Sequence, residues 1–513
     1  MQLGFVIDHS RCIGCHACTV ACKAENGVPL GDFRTWVKYT EEGTFPEVRR
    51  SFAVLRCNQC TDAPCVTICP VRALAKRPDG IVDVDPAACI GCKACLQGCP
   101  YDALYLNEAK GTAEKCHFCV HRTEVGLAPA CAVVCPTEAI IPGDFHDPES
   151  VVSRMRRDHG LAARKTEAGT GPNVFYREVS AAGIDPALTS AAGGYLWANR
   201  VPGIDLAAEE LEASLRAAEG KARARTTYDV DHKTWWGGKV SAYLFTKSLA
   251  AGLFLVLALL AAAGGTGAAG RAGGLAVAGA AAVFLAVTTA LLVADLKRPE
   301  RFLYILLRPN WSSWLTRGSV ILAGYGAVLA LSCALALRGS LDGPAGTATL
   351  ACGAVLAALT ACYTGWLFAQ AKGRVLWMRR GLWLHLIVQA LVAGAAFALA
   401  GGPLFGLPAG SISMLRGTLA ASLALHLLFV VTEGAAAPAR RGEEYARAVR
   451  LVTHGPYALR HRALGIFAGA VVPSLLLLAP LPAAWTAAGA LALVGLYVEE
   501  DILVRAGQAL AIS

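Results

Sequence analysis

The chain has 513 residues, a formal net charge of +9 and 19 cysteines, and 55% of its residues are hydrophobic. That length exceeds one ordinary domain. A positive charge can indicate nucleic acid, but much of the excess lies in loops between apolar runs, where membrane topology explains it better. We therefore expect no nucleic-acid partner. Polar residues and clustered cysteines fill residues 1–240, whereas Ala, Leu, Gly and Val dominate residues 241–513.

The first residues, "MQLGFVIDHS", do not have the pattern of an export signal. A basic segment followed by an apolar one is missing, and no twin arginine precedes the cysteines. Disulfides form in oxidising compartments. Nineteen cysteines without an export signal therefore favour metal binding over a disulfide framework.

Sixteen cysteines form four groups of four, and three of the groups end in Cys-Pro. In chain order the groups are Cys12, Cys15, Cys18 and Cys22; Cys57, Cys60, Cys65 and Cys69; Cys89, Cys92, Cys95 and Cys99; and Cys116, Cys119, Cys131 and Cys135.

The spacing of these groups favours iron–sulfur clusters. Three thiolates on one tight loop can reach three irons of a cubane, while the fourth cysteine starts a helix and reaches a neighbouring cluster. Sixteen ligands then make four 4Fe–4S clusters. Zinc would need two CxxC pairs without a third closely spaced cysteine. Zinc is conceivable for one group alone, but four such groups argue against it.

The stretches "CIGCHACTVACKAENGVP" and "CNQCTDAPCVTICP" resemble the four-cluster ferredoxin subunits of molybdopterin oxidoreductases, the type found with polysulfide, tetrathionate and dimethyl sulfoxide reductases. The resemblance covers roughly residues 1–180. It implies that the first group pairs with the fourth and the second with the third. The implied ligand sets are set 1 (Cys12, Cys15, Cys18, Cys135), set 2 (Cys22, Cys116, Cys119, Cys131), set 3 (Cys57, Cys60, Cys65, Cys99) and set 4 (Cys69, Cys89, Cys92, Cys95).

Basic side chains lie among these ligands. They are Arg11, His16, Lys23 and Lys93. A positive charge near a cluster raises its reduction potential, but a solvated surface charge explains each of them equally well.

A connector over residues 181–240 follows this head, which we place at 1–180. Residues 150–240 contain no cysteine, and two stretches within them, "EAGTGPNVFY" at 167–176 and "TSAAGGYLWANRVPG" at 189–203, are predicted to be loops. Residues 207–225 predict a polar helix, either a solvated strut or a docking surface. "WWGGK", at 235–239, is typical of an aromatic anchor at a membrane interface.

The remaining domain, 241–513, contains eight apolar runs. A spanning helix needs about 20 apolar residues, and eight runs in succession are unlike the short apolar helices of a soluble core. The predicted spans are 241–263, 273–294, 315–337, 347–370, 382–401, 412–433, 464–481 and 484–504.

An even number of spans places both chain ends on one side of the membrane. The loops on that side carry 15 Lys and Arg residues, whereas the opposite loops carry Arg271, Arg338 and Arg416. The positive-inside rule therefore predicts a multi-pass protein of the cell (inner) membrane with the iron–sulfur head on the cytoplasmic face. A twin-arginine signal on a partner chain would reverse this placement.

The apolar half resembles the NrfD or polysulfide-reductase type of membrane subunit, a quinone-reactive helical bundle. The resemblance covers roughly 235–513, and in most relatives the two halves are separate chains. Its motifs are "AYLFTKSLAAG", "DLKRPERFLYILLRPNWSSWLTRG", "YTGWLFAQAKGRVLW" and "EEDILVRAGQALAIS". The expected architecture is an α+β ferredoxin-like head followed by an all-α eight-helix transmembrane bundle.

A quinone head group needs hydrogen-bonding partners in an otherwise apolar wall, and ionisable residues inside spans are functional candidates. The candidates are Lys247, Asp295, Arg298, Tyr363 and His385. The resemblance implies a quinone site within the first four helices, at the end that faces the ferredoxin. Lys247 and Tyr363 are the expected quinone contacts; snorkelling of the lysine and core packing of the tyrosine are the alternatives. Asp295 and Arg298 could instead pair with each other.

Other polar residues of the spans could form a proton path or cap helix ends. They are His426, Glu433, Glu499, Glu500 and Asp501. The three remaining cysteines, Cys333, Cys352 and Cys362, are predicted to be small core residues.

We expect an electron-transfer and membrane-anchor subunit that works with menaquinone or ubiquinone. The resemblance implies a catalytic partner with molybdenum or tungsten bis-guanine-dinucleotide, which this chain does not encode. Neither a G-x-G-x-x-G fingerprint nor a P-loop is present, so no bound nucleotide is expected. The alternatives are a subunit of a quinol-linked respiratory complex without a molybdoenzyme, an ion-translocating module and a passive anchor without a quinone site.

Overall fold

The computed structural model describes residues 1–197, 223–230, 233–264, 270–341, 343–405 and 408–513. The chain forms two compact units. The N-terminal unit comprises Met1–Trp235, Gln370–Arg374 and Gln508–Ser513, and the helical unit comprises Trp236–Ala369 and Val375–Gly507. Most of the polar helix predicted over 207–225 lies outside the described residues.

Eleven strands are described in the N-terminal unit. They are β1 (Leu3–Asp8), β2 (Thr35–Thr44), β3 (Glu47–Arg56), β4 (Leu74–Lys76), β5 (Val82–Val84), β6 (Leu104–Asn107), β7 (Thr112–Lys115), β8 (Ile140–Asp144), β9 (Val174–Arg177), β10 (Thr189–Trp197) and β11 (Ala224–Asp229). Its described α-helices are short: α1 (Ala17–Asn26), α2 (Pro64–Ile68), α3 (Ala94–Gly98), α4 (Val120–Thr123), α5 (Ala130–Val133), α6 (Val151–Asp158) and α7 (Ala181–Ile184).

The sheets of this unit are small. β1 is the central strand of a three-stranded sheet, antiparallel to β8 and parallel to β9. Because a central strand is covered on both faces, its sequence "LGFVID" is a nearly continuous apolar run, and Phe5 and Ile7 are fully buried in the core. The pairs β4–β5 and β6–β7 are hairpins that follow the short helices of the second and third cysteine groups.

The loop prediction for the start of the connector was wrong. Thr189–Trp197 is strand β10, which pairs with β11, and the second sheet has the order β10-β11-β2-β3. The glycines and small residues of "TSAAGGYLW" suggested a loop, but pairing with β11 satisfies the backbone of this stretch. The sheet of the N-terminal unit therefore extends beyond residue 180.

The helical unit consists of long helices joined by short ones. In chain order these are α8 (Gly238–Gly264), α9 (Gly270–Ala294), α10 (Tyr304–Leu307), α11 (Trp314–Arg338), α12 (Pro344–Gln370), α13 (Leu382–Ala400), α14 (Gly402–Phe405), α15 (Ala409–Val431), α16 (Gly442–Thr453), a π-helix (Arg460–Val471), α17 (Val472–Leu476) and α18 (Pro482–Ala509).

Within the described ranges, six helices are long and apolar enough to cross a membrane: α8, α9, α11, α12, α13 and α15. They coincide with the first six predicted runs. The seventh run is divided between the π-helix and the five-residue α17. The eighth lies in α18, whose C-terminal part carries Glu499, Glu500 and Asp501. The coarser prediction of an apolar helical region is thus confirmed, with six candidate spans.

Close helix packing in this unit depends on small residues. A Cβ at Gly252 of α8 would overlap the carbonyl of Ala390, and one at Gly394 of α13 would overlap the backbone of Gly252. Glycine pairs of this kind let helix backbones approach in a membrane, where the hydrophobic effect between helices is absent. The α8–α13 contact fixes the first span, which carries Lys247.

Candidate iron–sulfur relay and buried polar cluster

The four cysteine loops share one backbone feature. In each C-x-x-C turn the residue before the second cysteine has a positive φ: Gly14 at 70°, Gln59 at 44°, Gly91 at 68° and Phe118 at 62°. Only glycine adopts this conformation without strain. Non-glycine residues hold it where the surroundings determine the backbone, as they do at functional sites. These turns bend each loop, so that the cysteines of the loop lie close together.

Cavities mark two of the implied ligand sets. One cavity is lined by all four cysteines of set 1. Another cavity is lined by all four cysteines of set 2, together with Arg56 and Asn26. In each cavity cysteines from the first and the fourth groups face one another, as the resemblance implies.

The structure also brings together the members of the other two sets. Cys65 lies within electrostatic range of the other three cysteines of set 3, Cys57, Cys60 and Cys99. Cys92 and Cys95 have the same relation to the rest of set 4.

Electrostatic proximity between cysteines of different sets gives the sets a linear order. Cys18 of set 1 lies near Cys131 of set 2. Cys57 of set 3 lies near Cys116 of set 2, and Cys65 of set 3 lies near Cys95 of set 4. The order is set 1, set 2, set 3, set 4, and Cys15 of set 1 is exposed at the first end.

The buried thiols fit iron–sulfur ligation. Burial raises the pKa of Cys18 to about 11 and that of Cys92 to about 12. Because the thiolate is the metal ligand, these positions need a cationic centre to stay deprotonated. Within the described part of the chain, no three His, Cys, Asp or Glu side chains could hold a single ion. A cubane has no such requirement, because each thiolate binds a separate iron.

Arg56 is a buried cation that sequence reasoning missed. Its side chain is fully buried, and its Nη1 donates to the Sγ of Cys131 at 3.3 Å. Its Nε and Nη2 have no partner among the described residues. Unsatisfied buried N–H groups are costly. Arg56 lines the cavity of set 2, so these N–H groups would be available to sulfur atoms of a cluster held there.

Lys115 is a second missed cation. It is 2% exposed, and its ammonium group donates to the carbonyls of Val82 and Cys116. Cys57 and Cys65 of set 3 lie within its electrostatic range. A sequence signal exists for both cations, because each directly precedes the first cysteine of its group.

The basic residues that the sequence did single out are less uniform. Arg11 is half-exposed and pairs with Glu138 at 3.2 Å. Lys23 donates to the carbonyl of Pro29 at 3.0 Å, and His16 lies 3.0 Å from the hydroxyl of Tyr39. Lys93 is buried beside Cys92.

Two segments from the C-terminal half of the sequence complete the N-terminal unit around Gln97, between Cys95 and Cys99. The Nε of Arg374 donates to Gln97 Oε1 at 2.7 Å. Gln97 in turn donates to Gln508 Oε1 at 2.9 Å. No local motif points to Arg374 or Gln508, because both contacts join residues far apart in the sequence.

The helical unit contains a buried polar cluster around Lys247. This side chain is fully buried, and its Nζ donates to the carbonyl of Ala361 at 2.9 Å and to Thr364 Oγ1 at 2.7 Å. The ammonium group also lies 5.1 Å from the ring centre of Tyr363. Two predicted quinone residues are therefore neighbours, and Lys247 does not snorkel to an interface.

Two tyrosines share this cluster. Tyr363 is 3% exposed, and its ring lies so close to Gly318 that a Cβ there would overlap it. Thr364 lies next to the phenol groups of both Tyr363 and Tyr243. Tyr243 was missed, although it precedes Lys247 by one helical turn within the quoted motif "AYLFTKSLAAG".

Glu500 joins the cluster from the last helix. Ser248 donates to its Oε1 at 2.7 Å, and its Oε2 has no partner among the described residues. The carboxyl group lies within electrostatic range of Lys247. Sequence reasoning placed Glu500 in a proton path or a helix cap, without reference to the first span.

The other three residues predicted for the quinone site have different surroundings. Asp295 lies within electrostatic range of Tyr243 and so borders the cluster. Arg298 contacts Glu300 at 3.4 Å. His385 lies in a different polar chain, 2.8 Å from His426.

We call this second set of hydrogen-bonded side chains the histidine chain, and its members His385, His426 and Arg379 are buried. Arg379 contacts His385 and donates to Glu433 Oε1 at 2.9 Å. Separately, His461 lies 2.8 Å from Glu499. Of the residues predicted for a proton path, the buried His426 and the half-buried Glu433 thus belong to one hydrogen-bonded chain with His385.

The leftover cysteines differ in burial. Cys362 is buried on α12 and Cys333 is half-buried on α11, but Cys352 is exposed. The core prediction was therefore wrong for Cys352, because its face of α12 points out of the helical unit.

Comparison with known proteins finds a matching family for each half of the chain. Residues 48–145 match the "4Fe-4S dicluster domain" family and residues 227–511 match the family "Polysulphide reductase, NrfD". The N-terminal part is 46% identical to a tetrathionate reductase subunit of Salmonella typhimurium over 201 residues, which are 38% of this chain and 80% of that protein. It is 37% identical to a polysulfide reductase polypeptide of Wolinella succinogenes (36% of this chain, 98% of that protein). The arsenate respiratory reductase iron-sulfur subunit ArrB of a Shewanella species is also 37% identical (34% and 96%).

Both resemblances inferred from the motifs are thereby confirmed. The iron–sulfur match lies within the N-terminal unit, and the second match spans more than half of the chain. The protein belongs to the polysulphide reductase, NrfD family of membrane subunits, and it carries in the same chain the 4Fe–4S domain found in reductase iron–sulfur subunits.

Proposed function

We propose that the chain is an electron-transfer and membrane-anchor subunit that moves electrons between a quinone pool and a molybdopterin-type catalytic partner. Sets 1 to 4 would hold four 4Fe–4S clusters, one iron bound by each thiolate. The observation that carries the proposal is the linear order of the sets, which is the arrangement a relay requires. The clusters supply one-electron redox chemistry, and the protein supplies ligands, burial and charge.

The polar cluster around Lys247 is the proposed quinone site. Reduction of a quinone takes up two electrons and two protons, so the pocket needs hydrogen-bond donors and a proton-exchanging group. The phenol of Tyr363 and the ammonium group of Lys247 would donate to quinone oxygen atoms. Asp295 borders the cluster, and Arg298 and His385 are peripheral to it. Menaquinone and ubiquinone both offer the required carbonyl groups.

The end of the relay at set 1 is the proposed contact with the catalytic partner. Cys15 is exposed there, and apolar side chains of the first and fourth cysteine groups are exposed as well: Ile13 at 58%, Val20 on α1 at 64% and Val133 on α5 at 61%. Exposed apolar groups that cluster together mark interaction sites. The proposed partner, a molybdenum or tungsten bis-guanine-dinucleotide subunit, would dock on this face.

A pull-down tests this face and the identity of the partner. Affinity-purified chain from its native membrane is expected to recover a pterin-binding subunit, and Ile13→Asp should reduce that recovery about tenfold, because a buried charge weakens an apolar contact. Phe45→Asp, at the exposed tip of the β2–β3 hairpin, is the control. Recovery of cytochromes without a pterin-binding subunit would instead support a quinol-linked respiratory complex.

The basic loops support a cytoplasmic iron–sulfur head. With eight spans, the 15 basic loop residues all face the cytoplasm. The π-helix together with α17, and then α18, would provide the last two spans. Trypsin is expected to cleave the head in inverted membrane vesicles and to leave it intact in right-side-out vesicles. Cleavage only in right-side-out vesicles would place the head outside.

The histidine chain favours a second role, ion translocation. His385 and His426 form a buried hydrogen-bonded pair that reaches Glu433 through Arg379, and such chains can relay protons. Proteoliposomes that develop a pH gradient beyond the scalar protons of quinone chemistry would establish this role.

A further inference from the structure

Three of the four cysteine groups are preceded directly by a basic residue. The pairs are Arg11–Cys12, Arg56–Cys57 and Lys115–Cys116. The structure distinguishes them, because the side chain of Arg11 is 43% exposed and paired with Glu138, whereas Arg56 is fully buried and Lys115 is 2% exposed. One sequence pattern thus yields one surface charge and two buried charges.

Arg56 lies at the junction of sets 1 and 2. Cys18 of set 1 and Cys116 and Cys131 of set 2 are within electrostatic range of its guanidinium group. The group is held over the ring of Phe5, 4.4 Å from the ring centre. One of its nitrogens already donates to Cys131, and two others have no partner among the described residues.

Lys115 lies at the next junction, between sets 2 and 3. Its ammonium group is fixed by the carbonyls of Val82 and Cys116. Cys116 of set 2 and Cys57 and Cys65 of set 3 are within its electrostatic range, as is the carboxylate of Asp83. Each of the first two junctions thus has a buried cation that lies within electrostatic range of cysteines on both sides.

A buried cation acts on reduction potential through charge. An added electron makes a cluster and its four thiolates more negative, so a nearby positive charge stabilises the reduced form and raises the potential. The effect is large where the charge is removed from water. An exposed charge such as Arg11 is screened by solvent and salt.

We infer that Arg56 and Lys115 are electrostatic determinants of the relay, because each raises the reduction potentials of the two clusters that flank it. Arg56 acts on the clusters of sets 1 and 2, and Lys115 acts on those of sets 2 and 3. The inference rests on the proposed function, because it takes the four sets as cluster ligands. The cluster of set 2 lies between both cations and is raised by both.

Redox titrations followed by electron paramagnetic resonance test the inference on the full chain. Arg56→Gln is expected to shift two clusters to lower potential, and Lys115→Met is also expected to shift two. One cluster should shift in both variants, one in each variant alone, and one in neither. Arg11→Gln is the matched control, because it removes the same charge from the same position before a cysteine, and it should shift none.

Assembly is measured in parallel by iron and acid-labile sulfide content. Full iron content with unshifted potentials in Arg56→Gln and Lys115→Met would overturn the inference. If either variant fails to assemble, Arg56→Lys and Lys115→Arg keep the charge and should leave the potentials near the wild-type values, and a shift of the flanking clusters to lower potential in both would overturn the inference. A wild-type chain without four clusters would instead contradict the proposed function itself.

Discussion

Replacement of Tyr363 by phenylalanine is expected to slow quinol oxidation by about tenfold or more, because a lost hydrogen bond to a reacting group costs about 1–3 kcal/mol. The substitution removes one oxygen atom and keeps the ring that packs against Gly318. Lys247→Met should slow the reaction further, because it removes the buried ammonium group that lies 5.1 Å from the same ring. Steady-state oxidation of a quinol by the purified chain, with an artificial electron acceptor, measures both variants.

Tyr325 offers a matched control in the same unit. It is fully buried on α11, and its hydroxyl donates to the carbonyl of Ala250 at 2.7 Å. Tyr325→Phe therefore removes an equally buried phenol oxygen whose partner is a backbone carbonyl, and it should lower stability by about 1 kcal/mol without a comparable loss of rate. Equal quinol oxidation in Tyr363→Phe, Lys247→Met and the wild type would indicate a passive anchor.

The parts of the molecule that could be predicted from the sequence depend on local spacing. The cysteines within each group recur every few residues, and each of the first six apolar runs is nearly as long as the helix that it forms. The first six spans therefore agree with helices of the structure. The seventh run does not, since its length conceals a change from a π-helix to a short α-helix.

Contacts between distant residues could not be predicted in the same way. Arg11 and Arg56 occupy the same place before a cysteine, and only the tertiary packing exposes one and buries the other. From the sequence, Glu500 is predicted to cap a helix end or to lie in a proton path. In the structure it accepts a hydrogen bond from Ser248, 252 residues earlier. The pairing of β10 with β11 likewise depends on strands separated by residues 198–223.

The pairing of cysteines between groups makes the strongest prediction about the relay. In a simple reading of "CIGCHACTVACKAEN", Cys18 and Cys22 bind the same metal site. In the structure, Cys18 faces the cavity of set 1 and Cys22 faces the cavity of set 2. Cys18→Ser and Cys22→Ser should therefore each remove or alter one cluster, and not the same one.

Each variant is expected to lose up to about a quarter of its iron, because one of four clusters is affected, and electron transfer between quinol and the catalytic partner should be nearly abolished. Electron paramagnetic resonance of the reduced chains identifies which signal disappears. Cys362→Ser is the control: this thiol is buried on α12 and belongs to no set, so iron content and transfer should stay at the wild-type level. Loss of the same signal in Cys18→Ser and Cys22→Ser would contradict the pairing. Substitution of two ligands of one cluster removes the same signal, whereas substitution of ligands of two neighbouring clusters removes two different signals.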